Sequence, residues 1–339
     1  MLKWGIVGAS DIAATRMLPA IRSAGGSVQV VLSGSSARAS RFASDCNIAS
    51  HTDDLDWLLA QDIEAVYISS TNEKHFSQAM RALDSGKHVL CEKPMALSVD
   101  EAVAMVELAA DKYLTLAVNH HIPSATLHRR VREMIDAGKI GTILAAQVSH
   151  AGLLPERLRG WRLTNPEAGS GVILDLTCHD ASVLNPLLGT PVSVSALAVN
   201  HAEWNLGGSA DTAMTVIEYV SPDGHAIVAQ TFDSFAMEHG STWMTVHGTK
   251  GLLHASDAMT QESGGTITVL SSTGTEVTVV DSEEDPYAVV VAAFQNAVVT
   301  GEEPAVSGWE GVQALKVALA AQQAAESGRT MYLDEFRSE

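Results

Sequence analysis

Short, nearly unbroken apolar runs alternate with helix-period stretches through the first third of the chain. Residues 4–7, 28–33, 65–69, 88–91 and 115–118 are rich in Val, Ile, Leu and Ala. That is the pattern of strands covered on both faces. Between them, residues 11–24, 37–45, 55–59, 75–85 and 98–111 read as helices. Strand–helix alternation of this kind predicts βαβ units and a parallel, doubly wound sheet. Gly25-Gly26 and Ser85-Gly86 stand where two of the helices stop.

After about residue 119 the pattern changes. A helix over 124–137 leads into a strand over 142–150, then a loop rich in Gly, Pro and Arg, then a helix from about 172 to 188. From 192 to 280 strands and turns dominate, with runs at 192–199, 212–220, 225–232, 243–248, 267–270 and 276–280. Ser221-Pro222-Asp223-Gly224 and Gly264-Gly265 supply turns between them. Helices over 286–299 and 308–325 close the chain. The expected fold is α/β: an N-terminal Rossmann dinucleotide-binding domain over 1–119, then an α+β substrate domain over 120–339 with a large, mostly antiparallel open sheet. A length of 339 residues is ample for two cores.

Charge narrows the partners. With 21 Lys and Arg against 40 Asp and Glu, the formal net charge is −19. Such a surface repels phosphate backbones and argues against nucleic acid and anionic membrane. An anionic cofactor still fits a locally positive site. Cys46, Cys91 and Cys178 lie far apart with no C-x-x-C spacing, which speaks against a disulfide framework or a thiolate zinc site. The first residues enter a strand pattern directly, with no signal-peptide pattern, and no apolar run reaches membrane-spanning length. A cytoplasmic protein is expected.

The first strand runs into Gly8-Ala9-Ser10-Asp11-Ile12-Ala13 at the start of the first helix. The frame Gly8-x-Ser10-x-x-Ala13 is a variant of the dinucleotide fingerprint. Small residues allow a tight turn, close approach to a pyrophosphate and close helix–sheet packing. The helix N-terminus offers free N–H groups to the phosphates. Ser10 departs from the usual Gly and is expected to add a hydroxyl donor. The second strand ends at Ser33-Gly34-Ser35-Ser36-Ala37-Arg38, with no carboxylate before Asp45. A carboxylate there would bond a ribose 2′-hydroxyl, whereas hydroxyls and an Arg suit a 2′-phosphate. Ser33, Gly34 and Arg38 therefore point to NADP(H) rather than NAD.

Two further segments carry candidate chemistry. Cys91-Glu92-Lys93-Pro94 places a lysine at the carboxyl end of a strand, where open α/β sheets bind ligands. Its ammonium can polarise a substrate oxygen. Asp175 and His179 stand four apart, so a helix puts them on one face. There the His acts as a proton donor near neutral pH and the carboxylate orients it. A metal-dependent hydrolase is the competing reading, given 13 His. No ligand spacing such as H-E-x-x-H supports it, and no metal is expected.

Together these residues resemble the glucose-fructose oxidoreductase / inositol dehydrogenase (Gfo/Idh/MocA) family over nearly the whole chain. The resemblance is carried by Gly8-x-Ser10-x-x-Ala13, by Ser70-Thr71-Asn72-Glu73-Lys74-His75, by the run from Gly86 through Glu92-Lys93-Pro94, and by Asp175-x-x-x-His179. It implies cofactor contacts from Ser70, Thr71, Asn72, His75, Glu92, Lys93 and Asn119, and from Trp161 and Arg162 near the nicotinamide. It implies Lys93, Asp175 and His179 as the catalytic group. Trp161 would stack on a sugar face, and Arg162, His120 and His150 would bond hydroxyls. The activity implied is NADPH-dependent reduction of a sugar-derived ketone, of the 1,5-anhydro-D-fructose type. Within the same fold, alternatives are a sugar or inositol dehydrogenase of other specificity, a redox-assisted glycoside hydrolase, and a non-catalytic NADP sensor. The exposed side of the second-domain sheet is a candidate interface for a homo-oligomer.

Overall fold

The computed structural model describes residues 1–334 and 336. The last residues of the expected second domain, 335 and 337–339, lie outside the described residues. The chain divides into two compact units: Met1–His121 with Tyr287–Val312, and Ile122–Pro286 with the residues from Gln313 onward.

The first unit is built on six parallel strands: β1 Lys3–Val7, β2 Ser27–Leu32, β3 Ser50–Thr52, β4 Ala65–Ile68, β5 His88–Cys91 and β6 Leu116–Val118. Their order is β3-β2-β1-β4-β5-β6, and every pairing is parallel. The order reverses between β1 and β4, the place where doubly wound sheets bind ligands beyond the strand ends. β3 escapes the sequence pattern because Ser50-His51-Thr52 is three residues long and largely polar, as suits an edge strand.

A single cut at 119/120 does not describe this unit, because a later helix returns to it. In Pro286–Thr300, the side chains of Tyr287, Val290, Val291 and Phe294 join Trp4, Ile6, Met17 and Ile21 in one core. The Trp4 and Phe294 rings sit 5.1 Å apart, and the Gln295 amide donates to the Ala24 carbonyl at 2.8 Å. The run YAVVVAAF is apolar on all sides, so its pattern says that the helix is buried but not against which sheet.

The second unit carries nine strands: β7 Ile143–Ala151, β8 Thr190–Val199, β9 Thr212–Val220, β10 Ala226–Ser234, β11 Thr242–Gly248, β12 Gly251–Ser256, β13 Gly265–Ser271, β14 Gly274–Val280 and β15 Met331–Tyr332. Their order is β14-β13-β12-β11-β7-β10-β9-β8-β15. β7 and β10 pair in parallel, and the remaining pairs are antiparallel. β12 and the two-residue β15 were not expected. β12 forms a tight hairpin with β11 across Gly248↔Gly251, and its Leu252-Leu253 pair blurs the alternation.

Alternation along these strands separates two faces. Val148, Ile217, Ala229, Met244, Val246, Leu253 and Ile267 point into the core. The helix Cys178–Leu188 packs on β7, and Thr126–Asp136 packs on β12 and β13. On the opposite face, Leu197 is paired across strands with Met214, and Val216 lies one step along; all three are exposed. Val228 and Val277 are exposed on the same face. No helix among the described residues is long and apolar enough to cross a membrane.

Removing a large ring from a filled core loses transfer energy and leaves a cavity. Phe294→Ala is expected to destabilise the first unit by about 3–5 kcal/mol, read as a lower urea midpoint. A loss under about 1 kcal/mol would show that Pro286–Thr300 is not part of that core.

Candidate functional site

In the first unit, candidate residues gather at the carboxyl ends of β1, β2, β4, β5 and β6. Gly8 follows β1 with φ +117°. A Cβ there would stand 2.6 Å from the Ser69 carbonyl carbon and the Ser70 nitrogen, so the turn requires glycine. The Ser10 hydroxyl donates to Ser69 Oγ at 2.8 Å and accepts the Ala13 N–H at 3.1 Å. That corrects the expectation of a hydroxyl offered outward: Ser10 is spent on capping the helix start and tying it to the β4 loop. The helix then opens with a π turn over Ala13–Met17 before Leu18–Ser23. Ala9 and Ile12 are half-buried and Asp11 is exposed.

Past β2, the buried Ser33 hydroxyl accepts a hydrogen bond from Arg38 Nε at 2.5 Å. Gly34 and Arg38 are exposed. The Ser35 side chain caps the next helix through the Arg38 N–H. This forms a hydroxyl–guanidinium pair without a carboxylate in the contact.

Past β4, Ser70 donates to Gln78 Oε1 at 2.6 Å and Thr71 to Glu73 Oε1 at 2.6 Å. Asn72 is buried. His75 is 1% exposed, with Nδ1 2.8 Å from the Pro94 carbonyl and Nε2 3.0 Å from the Ser70 carbonyl. Burial is the main influence and lowers its pKa, partly offset by those two carbonyls. His75 thus braces the loops after β4 and β5 from within.

Glu92, just past β5, is the hub of this region. Its Oε1 accepts from the Tyr67 hydroxyl at 2.6 Å and from the Asn119 amide at 2.5 Å. Its Oε2 accepts the Lys93 N–H at 3.3 Å. Burial and then the Glu92 charge push the Tyr67 hydroxyl well above its ordinary pKa, so it stays a donor. Lys93 is half-buried and precedes a cis proline. The buried His120 is held down to about 3, mainly by burial and then by the Lys93 charge. A neutral imidazole and an ammonium therefore stand together at these strand ends. His121 stacks on Tyr287 with centroids 4.2 Å apart.

In the second unit, a π turn over Ile173–Thr177 leads into the helix Cys178–Leu188. The expectation of a plain α-helix from about 172 is corrected at this turn. Asp175 lies in the π turn, and its Oδ2 is 3.4 Å from Arg162 Nε. Arg162 also lies over the Trp161 ring at 4.8 Å. The sequence pattern linked Asp175 to His179 alone and missed this ion pair. His179 is buried, with its ring centroid 6.1 Å from that of His150 on β7. His150 Nδ1 is 3.0 Å from Asp180 Oδ1. Asp180 stands against Asp233 of β10, and both are fully buried. Burial raises both carboxyl pKa values. Sequence reasoning passed over both acids, although Asp233 holds an inward position on an alternating strand. A charge at such a position is a readable signal.

A nicotinamide dinucleotide fits the first unit. The Gly8 turn has no room for a side chain, the strand order reverses beside it, and the buried Asn119 Oδ1 is an acceptor without a protein donor. The fold and this loop set define a dinucleotide-dependent oxidoreductase.

The comparisons make the assignment specific. Residues 2–120 match the family described as "Oxidoreductase family, NAD-binding Rossmann fold", and residues 132–333 match its C-terminal alpha/beta domain. The chain belongs to this Gfo/Idh/MocA oxidoreductase family. It is 38% identical to a 1,5-anhydro-D-fructose reductase from Ensifer adhaerens, over 98% of this chain and 99% of that protein. It is 30% identical to D-xylose 1-dehydrogenase (NADP(+)) 2 from Haloferax volcanii, over 98% of this chain and all of that one. An oxidoreductase from Agrobacterium radiobacter, solved with NAD+, L-tartaric acid and magnesium, shares the fold with a TM-score of 0.86 at 18% identity, covering 98% of each chain.

Proposed function

We propose that this protein is an NADPH-dependent reductase of a sugar-derived ketone of the 1,5-anhydro-D-fructose type. The observation that carries the reading is the likeness to the Ensifer reductase over nearly all of both chains. The Arg38–Ser33 pair supports NADP(H), because a guanidinium and hydroxyls suit a 2′-phosphate that a carboxylate would repel.

Gly8, Ala9, Ser10, Asp11, Ile12 and Ala13 form the loop and helix start for the pyrophosphate, with Ser33, Gly34 and Arg38 at the 2′-phosphate. Ser70, Thr71, Asn72, Glu92, Lys93 and Asn119 complete the nicotinamide side, braced by His75, and Trp161 and Arg162 serve the same end. When bound, NADPH supplies the hydride. His179 gives a proton to the developing alkoxide. Asp175 orients the acid and holds Arg162 nearby. The Lys93 ammonium stabilises charge on the reacting oxygen, and neutral His120 beside it is an acceptor for a substrate hydroxyl. His150, Trp161 and Arg162 bind the sugar. A second reading, sugar oxidation by the same residues in reverse, is favoured by the likeness to the Haloferax xylose dehydrogenase.

The exposed apolar face of the second unit's sheet fits a second copy of this chain. Sedimentation of wild type against Val216→Glu with Val228→Glu is expected to show a dimer or larger assembly shifting toward monomer; a wild-type monomer would remove this assignment.

Loss of NADPH absorbance with 1,5-anhydro-D-fructose, beside ketoses, osones and inositol ketones, tests the reaction. Rapid oxidation of NADPH, with little of NADH, is expected. Activity confined to NADP+ with aldoses would favour the dehydrogenase, and silence on every sugar despite NADPH binding would defeat both readings. Lys93→Met and His179→Ala are expected to lower turnover by about 10²–10⁴-fold while NADPH binding stays near normal. Loss of binding instead would remove their catalytic assignment.

Ser33→Asp with Arg38→Ala is expected to move preference from NADP toward NAD by more than tenfold in kcat/KM. An unchanged ratio would refute the 2′-phosphate assignment.

A further inference from the structure

Between β7 and the π turn at Ile173 the chain forms nothing longer than single turns, and this stretch carries Trp161 and Arg162. An irregular segment of that length needs a partner to hold two side chains in place. The partner is the connection from β8 to β9, residues 200–211.

That connection is organised by one carboxyl group. Asp211 is fully buried and accepts from the His201 N–H at 3.1 Å, the Ala202 N–H at 2.9 Å, the Asn205 side-chain amide at 3.2 Å and the Thr212 hydroxyl at 3.0 Å. Its own N–H donates to the Val199 carbonyl at 3.0 Å, which ties the two ends of the connection together. A buried carboxyl is tolerable only where donors fill its oxygens, and here the donors come from the connection itself. The Asn205 amide also donates to the Ser209 carbonyl at 2.8 Å, which fixes the far side. The connection is therefore a rigid object, able to hold something else.

It grips the Trp161 stretch at three points. The Arg159 guanidinium lies over the Trp204 ring at 3.8 Å, while Arg159 Nε donates to the Leu154 carbonyl at 2.9 Å. Gly207 passes against the backbone of Leu163, where a Cβ would stand 1.9 Å from the carbonyl oxygen. No side chain fits there. The Ser170 and Ser209 hydroxyls meet at 2.6 Å, and the Val172 N–H donates to the Ala210 carbonyl at 2.9 Å. These contacts fall on both sides of Trp161 and Arg162 along the chain. Arg159 and Trp204 are only half-buried, so their stack adds little to the core. What a planar cation on an aromatic face fixes is where the loop lies.

We propose that Trp204 and Gly207 are positioning residues: they clamp Arg159 and the Leu163 backbone, and so set the place of the Trp161–Arg162 turn against which a polyhydroxylated substrate is fitted. The substrate half of this inference rests on the sugar-ketone reading; the clamp does not.

Hydrogen–deuterium exchange of the full chain with NADPH, read on peptides over 156–165, tests the clamp without turnover. The Arg159, Leu163 and Asn165 amides are hydrogen-bonded within their turns, so their exchange reports opening of this stretch. Trp204→Ala is expected to speed that exchange about tenfold while the helix Cys178–Leu188 exchanges as in wild type. Trp204→Phe keeps a ring for the guanidinium and is expected to restore slow exchange. In turnover, Trp204→Ala is expected to raise KM for the sugar ketone about tenfold with kcat within about threefold, and Trp204→Phe to return KM toward wild type. Arg159→Ala is expected to raise KM similarly, and the double variant to lose little more, because both changes break one contact.

Unchanged exchange over 156–165 in Trp204→Ala would overturn the clamp. Faster exchange with KM unmoved, on a sugar ketone that wild type reduces, would overturn the positioning role, as would fully additive effects of Trp204→Ala and Arg159→Ala. Absence of wild-type turnover on any sugar ketone, with the exchange response intact, would sink the functional reading and leave the clamp standing.

Discussion

One half-buried carboxylate, Glu92, holds the first unit's active edge together. Parallel strands end side by side, but nothing in a ladder of backbone hydrogen bonds fixes where the chain goes afterwards. Glu92 supplies that restraint. Tyr67 comes from β4, Glu92 itself follows β5, and Asn119 follows β6, so three adjacent strand ends are tied to one carboxyl group. Hydrogen bonds to an ionised acceptor are roughly twice as strong as neutral ones. The third bond, from the Lys93 N–H, brings the lysine's own backbone into the knot. His75 adds a second brace by meeting the carbonyls of Ser70 and Pro94. The backbone around Lys93 is therefore held at a defined place.

The second unit meets a similar need by other means. Its sheet is antiparallel almost throughout, and an antiparallel strand brings neighbours from a hairpin close in sequence. The parallel β7–β10 match brings together residues 83 positions apart, His150 and Asp233. Burying two acids is unfavourable unless each oxygen finds a donor. Thr177 and Thr231 donate to Asp233, His150 Nδ1 lies against Asp180, and burial raises both carboxyl pKa values. Glu92 gathers donors from three strand ends, whereas Asp180 and Asp233 are fully buried and burial raises the pKa of each.

The βαβ alternation, the change to an open sheet near residue 119, the Gly8 turn and the Ser33–Arg38 pair were all legible from periodicity and residue type. What was not legible follows from distance along the chain. The helix bearing Tyr287 and Phe294 is apolar all round, so no stripe tells which sheet it joins. Ser10 looked like a ligand group because its capping partner Ala13 and its neighbour Ser69 become visible only in three dimensions. Asp233 sat in plain view at an inward strand position, but its meaning required a parallel register that no local pattern encodes.

The two π turns set a limit on spacing arguments at such sites. Each candidate loop enters its helix through one, at Ala13–Met17 and at Ile173–Thr177. A π turn holds more residues than an α turn, which rotates later side chains relative to earlier ones, and such turns recur at functional sites. The four-residue step from Asp175 to His179 leaves a π turn and enters an α-helix, so its angle differs from that of a regular i, i+4 pair. The widened turn faces Asp175 toward Arg162, and puts Thr177 against Asp233. A regular helix would offer these three side chains at fixed α spacing. Here one irregular turn sends Asp175 and Thr177 to different partners, Arg162 and Asp233.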